Sequence, residues 1–280
     1  MSTRTPYPSD LQDDEWALLA PLVPPNRGRG RHPAGDLREV VNAICFLTKE
    51  GCQWRALPHD LPPWPTVRYY YDKWMRDYTW ERINDTLRRD LRQEAGRDPE
   101  PTAGIMESQS VKTTEAGGIR GYDAGKQVWG RKRHILVDTL GHLIYAWAHG
   151  ADLQDANGAE IVLENGLAVA PTLERVYVDG GYDTNDLHVW VWANTAISLE
   201  VVRRPTAAQG FVVLPKRWVV ERTLAWLGRY RRLAKDFEHL IECSTTYVYI
   251  ASVHLMLRRL AKLRRNGLAN ADLSVSANAA

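Results

Sequence analysis

The sequence predicts an α/β fold, a mixed sheet covered by helices and preceded by a small all-helical unit. Two observations lead there. Over the first ~95 residues the apolar stripes have helical spacing. After the linker-like "GRDPEPTAG", short β-rich runs alternate with helices in the order β, β, β, α, β, α, β, α. The expected division is a helical domain over 1–96, a sheet domain over 97–265 and a disordered tail over 266–280, the tail being small and polar. With 280 residues and 44% hydrophobic content, the chain has material for a sizeable core.

The elements follow in order. "YPSDLQDDEWALLAPLVPP" offers Ser9 or Asp10 as an N-cap, a stripe of Trp16, Leu19 and Ala20, and a proline stop. Beyond the basic linker "NRGRGRHPAGD", Leu37, Val40, Val41, Ile44 and Leu47 recur at i, i+3, i+4, i+7 and i+10, which predicts an amphipathic helix. Two more helices are expected, one from about Thr66 and one through Trp80, Ile83, Leu87 and Leu91. "GIMESQS" reads as a strand, and "KRHILVDTLGHLIYAWAHGA" as a hairpin about "DTLGH". "NGAEIVLENGLAVA" is helical; "LERVYVDGGYDTNDLHVWVWANTA" is a buried strand, a Gly-Gly turn and a helix; "ISLEVVRRP" is a further strand. "PKRWVVERTLAWLGRYRRLAKDFEHL" begins a long helix, and "TTYVYIASVHLMLRRLAKLRR" supplies the last.

Composition narrows the function classes. Cys45, Cys52 and Cys243 lie far apart without CxxC spacing, so neither a disulfide framework nor a zinc site is expected and a reducing cytoplasm fits. No apolar run approaches the ~20 residues of a membrane span, and the N-terminus has no apolar signal core. The net charge of +2 hides local blocks of Arg and Lys.

Three carboxylates stand out. Glu107 follows the apolar pair Ile105-Met106 at a strand end, where a buried acid needs a partner, a hydrogen bond or a metal; equally, it marks where the strand leaves the core. Asp179 ends the run "RVYV" before two glycines, at a strand's carboxyl end where α/β sheets hold ligands; equally, it caps a turn. Glu221 lies one helical turn after Arg217, which suits a site and also a surface ion pair. Together, three hard oxygen donors are what Mg²⁺ takes, and paired divalent ions are a recurrent device for attack on a phosphodiester.

With these residues in view, the chain resembles bacterial insertion-sequence transposases, specifically the insertion-sequence-five family with an Asp-Asp-Glu triad on a ribonuclease-H-like fold. The resemblance covers nearly the whole chain. It rests on "LREVVNAICFLTKEGCQWRALPHDLPPWPTVRYYYDKWMRDYTWERIND" in the helical part, and on "SQSVKTTEAGGIRGYDAGKQVWGRKRHILVDTLG", "VDGGYD" and "RWVVERTLAWLGRYRRLAKDFE" beyond it. It implies that Asp179 and Glu221 are the second and third catalytic acids and metal ligands. Glu107 then occupies the position of the first, where the family pattern has Asp. It further implies Mg²⁺, with Mn²⁺ as a substitute, double-stranded DNA as partner (terminal inverted repeats and target), a homodimer in the active complex, and a cytoplasmic, nucleoid-associated protein. The longer acid at 107 raises the alternative of an impaired, end-binding remnant, in which Glu107→Asp would raise activity. A nuclease without strand transfer is a further alternative.

The basic blocks point to nucleic acid. Between 203 and 235 lie Arg203, Arg204, Lys216, Arg217, Arg222, Arg229, Arg231, Arg232 and Lys235, with Glu221 the only acid. Arg131, Lys132 and Arg133 add to them. Arg217 and Lys235 are candidate phosphate clamps. In the helical part Arg68 and Lys73 interleave with aromatics and are candidate DNA contacts, while Tyr70 and Trp74 share a stripe with Val67 and are expected in the core.

Overall fold

The computed structural model describes residues 4–25, 36–203 and 216–278, with side chains as far as 267. Its contacts divide the chain into two units, one of Met1–Leu47, Gln53–Pro99 and Val253–Ala280, the other of Thr48–Cys52 and Glu100–Ser252.

The first unit is helical: α1 (Asp13–Leu19), most of α2 (Leu37–Glu50), α3 (Trp64–Arg76), α4 (Thr79–Glu94) and the later part of α8 (Ile241–Asn278). The expected stripe of α2 is its core face, for Val40, Val41, Ile44 and Leu47 are fully buried; so are Val67, Tyr70, Tyr71 and Trp74 of α3 and Trp80, Ile83, Leu87 and Leu91 of α4. Trp74 meets Trp80 edge-on at 5.8 Å, joining α3 to α4. Helix α1 starts later than Ser9 or Asp10: Glu15 reaches back to the Gln12 N–H at 3.0 Å, while the Asp10 carboxylate serves the Tyr7 N–H and Arg4. The segment after α4 is held by that helix's own cations, Arg92 donating to Asp98 O at 2.7 Å and Arg88 to Pro99 O at 3.3 Å.

The second unit is built on a sheet of β1 (Ala103–Lys112), β2 (Gly121–Asp123), β3 (Val128–Asp138), β4 (Leu143–Gly150), β5 (Arg175–Val178) and β6 (Ser198–Val201). The order is β2-β3-β1-β5-β6, with β4 beside β3. β1, β3 and β4 pair antiparallel, whereas β5 and β6 run parallel to β1, which makes a ribonuclease-H-like mixed sheet. Helices α5 (Asp155–Val169) and α6 (Asn185–Asn194) cover one face, where Met106, Leu136, Val162, Leu163, Val176 and Val178 form the core. Helix α7 (Arg217–Leu227) packs on β1 and β3, and the Ala146 N–H donates to the Tyr249 hydroxyl oxygen of α8 at 3.1 Å.

Three expectations are corrected. The helix from Arg217 is short, closing at Leu227 before Gly228 and a 3₁₀ turn over Arg231–Leu233. Strand β2, three residues in a glycine-rich stretch, was not expected at all. The tail from Asn266 is helical backbone to Asn278, because α8 is already nucleated and no proline stops its propagation. The helical unit is discontinuous in sequence: it includes Val253–Ala280, of which 253–265 fall within the stretch expected for the sheet domain.

Candidate active site

Register brings the first two acids level. β1 and β5 pair in parallel as far as Ile105 and Tyr177, so two residues on, Glu107 and Asp179 stand side by side on one face. Beyond Ile105 the β5-side edge of β1 has no strand partner among the described residues, because β5 ends at Val178. Asp179 caps the turn after β5, its Oδ1 accepting the Gly181 N–H at 2.8 Å, so the turn-cap role and the site role coexist. Neither Gly180 nor Gly181 has positive φ, and a Cβ on Gly180 would meet nothing within 4 Å. Neither backbone strain nor a steric clash requires glycine at position 180.

The third acid arrives on α7, and Arg217 ties the group together. Its Nη2 lies 3.3 Å from Glu107 Oε2, 3.2 Å from Glu221 Oε1 and 3.8 Å from Asp179 Oδ2. The i,i+4 spacing of Arg217 and Glu221 therefore forms more than a surface pair, since the same nitrogen serves acids from two strands. Exposure of the side chains rises from 12% at Glu107 through 29% at Asp179 to 48% at Glu221. Burial, then the charge of Asp179, pushes the Glu107 carboxyl above its ordinary range; the Ser108 N–H and the cations Arg217 and Lys126 oppose this. The Nε of Arg217 is buried without a hydrogen-bond partner.

Of the other predicted cations, the structure withdraws four. Arg131 is fully buried, paired with Asp236 at 3.0 Å and donating to Ile119 O, Glu238 O and His239 O. Lys132 is held by Asp155 and by Leu153 O, both at 2.8 Å, and Arg133 donates to Leu233 O at 2.7 Å. Arg232 is buried against Glu238 and donates to Cys52 O at 2.8 Å. Their positive charge is spent on carboxylates and chain carbonyls, so these are fold cations, not phosphate contacts. Arg222 lies over Trp218 and Trp226 and donates to Leu140 O at 2.9 Å. Arg203, Lys216, Arg229, Arg231 and Lys235 are exposed, with Arg203 on Asp183, Lys216 on Tyr177 and Arg231 on Glu50. Arg204 lies outside the described residues. It is Arg217, not Lys235, that touches the acids. In the helical unit Arg68 pairs with Asp72 at 2.8 Å over the Trp54 ring, and Lys73 is half-buried.

Sequence reasoning missed Lys126, Ser108 and Asp155. The Ser108 N–H donates to Glu107 Oε1 at 3.1 Å, and its hydroxyl donates to Asp155 Oδ1 at 2.8 Å. The Lys126 ammonium sits 3.2 Å from both the carbonyl and hydroxyl oxygens of Ser108. With Glu107 and Glu221, Ser108 and Lys126 line an open cleft of about 500 Å³. A single lysine in a glycine-rich turn has no periodic signal, so only the tertiary fold reveals it.

Could these acids hold a cation? The donors are the hard oxygens that Mg²⁺ takes, and the charged form of Glu107, disfavoured by burial and then by the charge of Asp179, is one that a bound cation would favour. As they stand, no three metal-binding side chains among the described residues are gathered closely enough for an ion. The guanidinium of Arg217 stands at the point where the acids converge and does the work of a countercharge.

Comparison with known proteins follows from this geometry. A family model described as "Transposase DDE domain" matches residues 98–243. One described as "Putative transposase of IS4/5 family" matches residues 11–84. The chain is similar to the "Putative transposase for insertion sequence element IS402" of Burkholderia cepacia, 35% identical over 117 residues, which are 39% of this chain and 54% of that protein. It is similar also to the "Insertion element IS402 uncharacterized 16.2 kDa protein" of Burkholderia cepacia, 28% identical over 118 residues, 38% of this chain and 76% of that protein. The chain thus spans about half the length of the first of these relatives. Among solved structures, the "Crystal structure of the Mos1 Strand Transfer Complex" aligns over 85% of this chain and 80% of that one at 14% identity, with a TM-score of 0.23, too low to bear on the fold.

Proposed function

Since this chain belongs to the family of transposases with a DDE domain, we propose that it binds the ends of an insertion sequence and catalyses metal-dependent DNA cleavage and strand transfer, with Glu107, Asp179 and Glu221 as its catalytic acids. One observation carries the reading: acids from β1, from the end of β5 and from α7 meet at a single guanidinium nitrogen. An arrangement that gathers three carboxylates from three distant segments is not needed to build this sheet.

Glu107, Asp179 and Glu221 would hold the ion, Mg²⁺ or in its place Mn²⁺. Bound there, it would polarise the phosphate and lower the pKa of the attacking water or 3′-hydroxyl. The chain's own residues do the positioning. The Ser108 N–H fixes one oxygen of Glu107 and the Gly181 N–H one oxygen of Asp179, leaving Glu107 Oε2 and Asp179 Oδ2 turned toward the site. Arg217 balances the acids before a ligand enters. Displaced from them, its fork of donors is suited to a phosphate oxygen, and its buried Nε has no partner to lose. The exposed cations Arg229, Arg231 and Lys235 follow α7 and would neutralise backbone phosphates beyond the cut. The helical unit is the proposed reader of the element ends, and the active complex a homodimer with one copy for each end.

The test is nicking of a duplex made from the DNA that flanks the coding frame. Asp179→Asn and Glu221→Gln should each abolish Mg²⁺- or Mn²⁺-dependent nicking and leave binding of the duplex intact. Undiminished nicking by both variants would remove these residues from the active site.

A further inference from the structure

Lys126 comes from the turn between β2 and β3, yet its ammonium lies on β1 at the acid cleft. Three features of its surroundings argue against a structural role. Its partners are both neutral, the carbonyl and hydroxyl oxygens of Ser108. Among the described residues no carboxylate lies within 4.0 Å of its nitrogen, whereas the neighbouring Lys132 is buried and ion-paired. The residue is exposed, on the wall of the cleft that Glu107 and Glu221 also line.

Ser108 organises the geometry. Its N–H holds Glu107, its hydroxyl proton goes to Asp155, and its two oxygens aim the ammonium of Lys126. A lysine has three N–H donors. Ser108 accepts from two, and the third has no hydrogen-bond partner among the described residues. A full positive charge with one donor to spare, exposed in the cleft that Glu107 and Glu221 line, matches one ligand chemistry in a site that works on DNA: the anionic oxygen of a backbone phosphodiester. The acids repel that anion, and a cation lining the same cleft offsets the repulsion.

We propose that Lys126, aimed by Ser108, is a phosphate-binding residue of the acid cleft, holding a DNA phosphodiester at or next to the bond that is cut. This rests on the transposase reading.

The test uses the full-length protein with Lys126→Ala and Lys126→Arg, and the flanking-DNA duplex with its phosphodiesters replaced one at a time by neutral methylphosphonates. Lys126→Ala should nick about a hundredfold to a thousandfold more slowly, the scale of losing one oriented donor to a developing oxyanion. Lys126→Arg should recover most of the rate, and both should melt at the parental temperature. One methylphosphonate near the cut should slow the parent while adding nothing to the loss in Lys126→Ala. The salt dependence of duplex binding should fall by about one unit of slope in Lys126→Ala. The proposal is overturned if Lys126→Ala nicks at the parental rate, or if both proteins respond alike to neutralisation at every linkage. Should Asp179→Asn also nick at the parental rate, the transposase reading fails with it; if Asp179→Asn is inactive and Lys126→Ala is not, only the lysine is wrongly placed. For a parent that binds without nicking, the salt slope decides, and an unchanged slope overturns the proposal.

Discussion

At the scale of single residues, the longer acid at position 107 is the feature most particular to this chain. Sequence alone raises the expectation that Glu107→Asp improves activity by restoring the family's usual side chain. The geometry argues the opposite. Glu107 Oε2 already reaches the same nitrogen as Glu221, 3.3 against 3.2 Å, and the Ser108 N–H holds its other oxygen. Removing a methylene draws the carboxylate back by about 1 Å and breaks both contacts, and a misplacement of that size costs on the order of a hundredfold in rate. We therefore expect Glu107→Asp to nick element-end DNA tenfold to a hundredfold more slowly than the parent in Mg²⁺, with unchanged duplex affinity. A rate equal to or above the parent's would mean that the backbone of β1 absorbs the difference.

At the scale of elements, β3 shows how a run of cations can mislead. "GRKRH" looks like a phosphate-binding patch, but in a strand with neighbours on both edges successive residues face opposite layers. Lys132 turns to Asp155 on one side, and Arg131 and Arg133 turn to Asp236 on the other. Asp236 belongs to the loop after α7, so Arg131 pins that loop to the sheet and with it the C-terminal side of the helix that carries Glu221. Breaking a buried pair from one side leaves an uncompensated charge and costs about 3–5 kcal/mol. Asp236→Asn is therefore expected to lower the unfolding free energy by an amount in that range, measured by urea denaturation. A mutant as stable as the parent would show that the loop is not held by this pair.

At the scale of the whole molecule, the helical unit is assembled from both ends of the chain. Val253, Met256, Leu257, Leu260 and Ala261 of α8 are buried, and Arg264 and Arg265 pair with Glu94 and Asp14. The compositional break at "GRDPEPTAG" suggests that a fragment ending there folds alone. The contacts predict that such a fragment, 1–99, exposes the surface that α8 covers and melts without cooperativity. Adding the segment 253–280 should restore a cooperative, helical transition by circular dichroism. A sharp transition in 1–99 alone would assign α8 no part in this core. No helix among the described residues is long and apolar enough to cross a membrane.

Local periodicity in the sequence was enough to determine most of the helices and strands and the change from one to the other, β2 and the end of α7 excepted, because helical and extended segments bury their apolar residues at different spacings. Val40, Val41, Ile44 and Leu47, and the Tyr70–Trp74 stripe, were legible in this way. The three acids were legible as strand-end and helix positions, and as counterparts of a known family's motifs. Their meeting point was not, since it depends on the parallel register of β1 with β5 and on where α7 docks, contacts made across about 70 and 110 residues of chain. The fate of each cation was undecided for the same reason. Arg131 and Lys126 have the same formal charge in the sequence; the fold buries one on a carboxylate and leaves the other exposed beside the acids. Charge is local, but whether it is neutralised is settled by partners that only tertiary structure brings within reach.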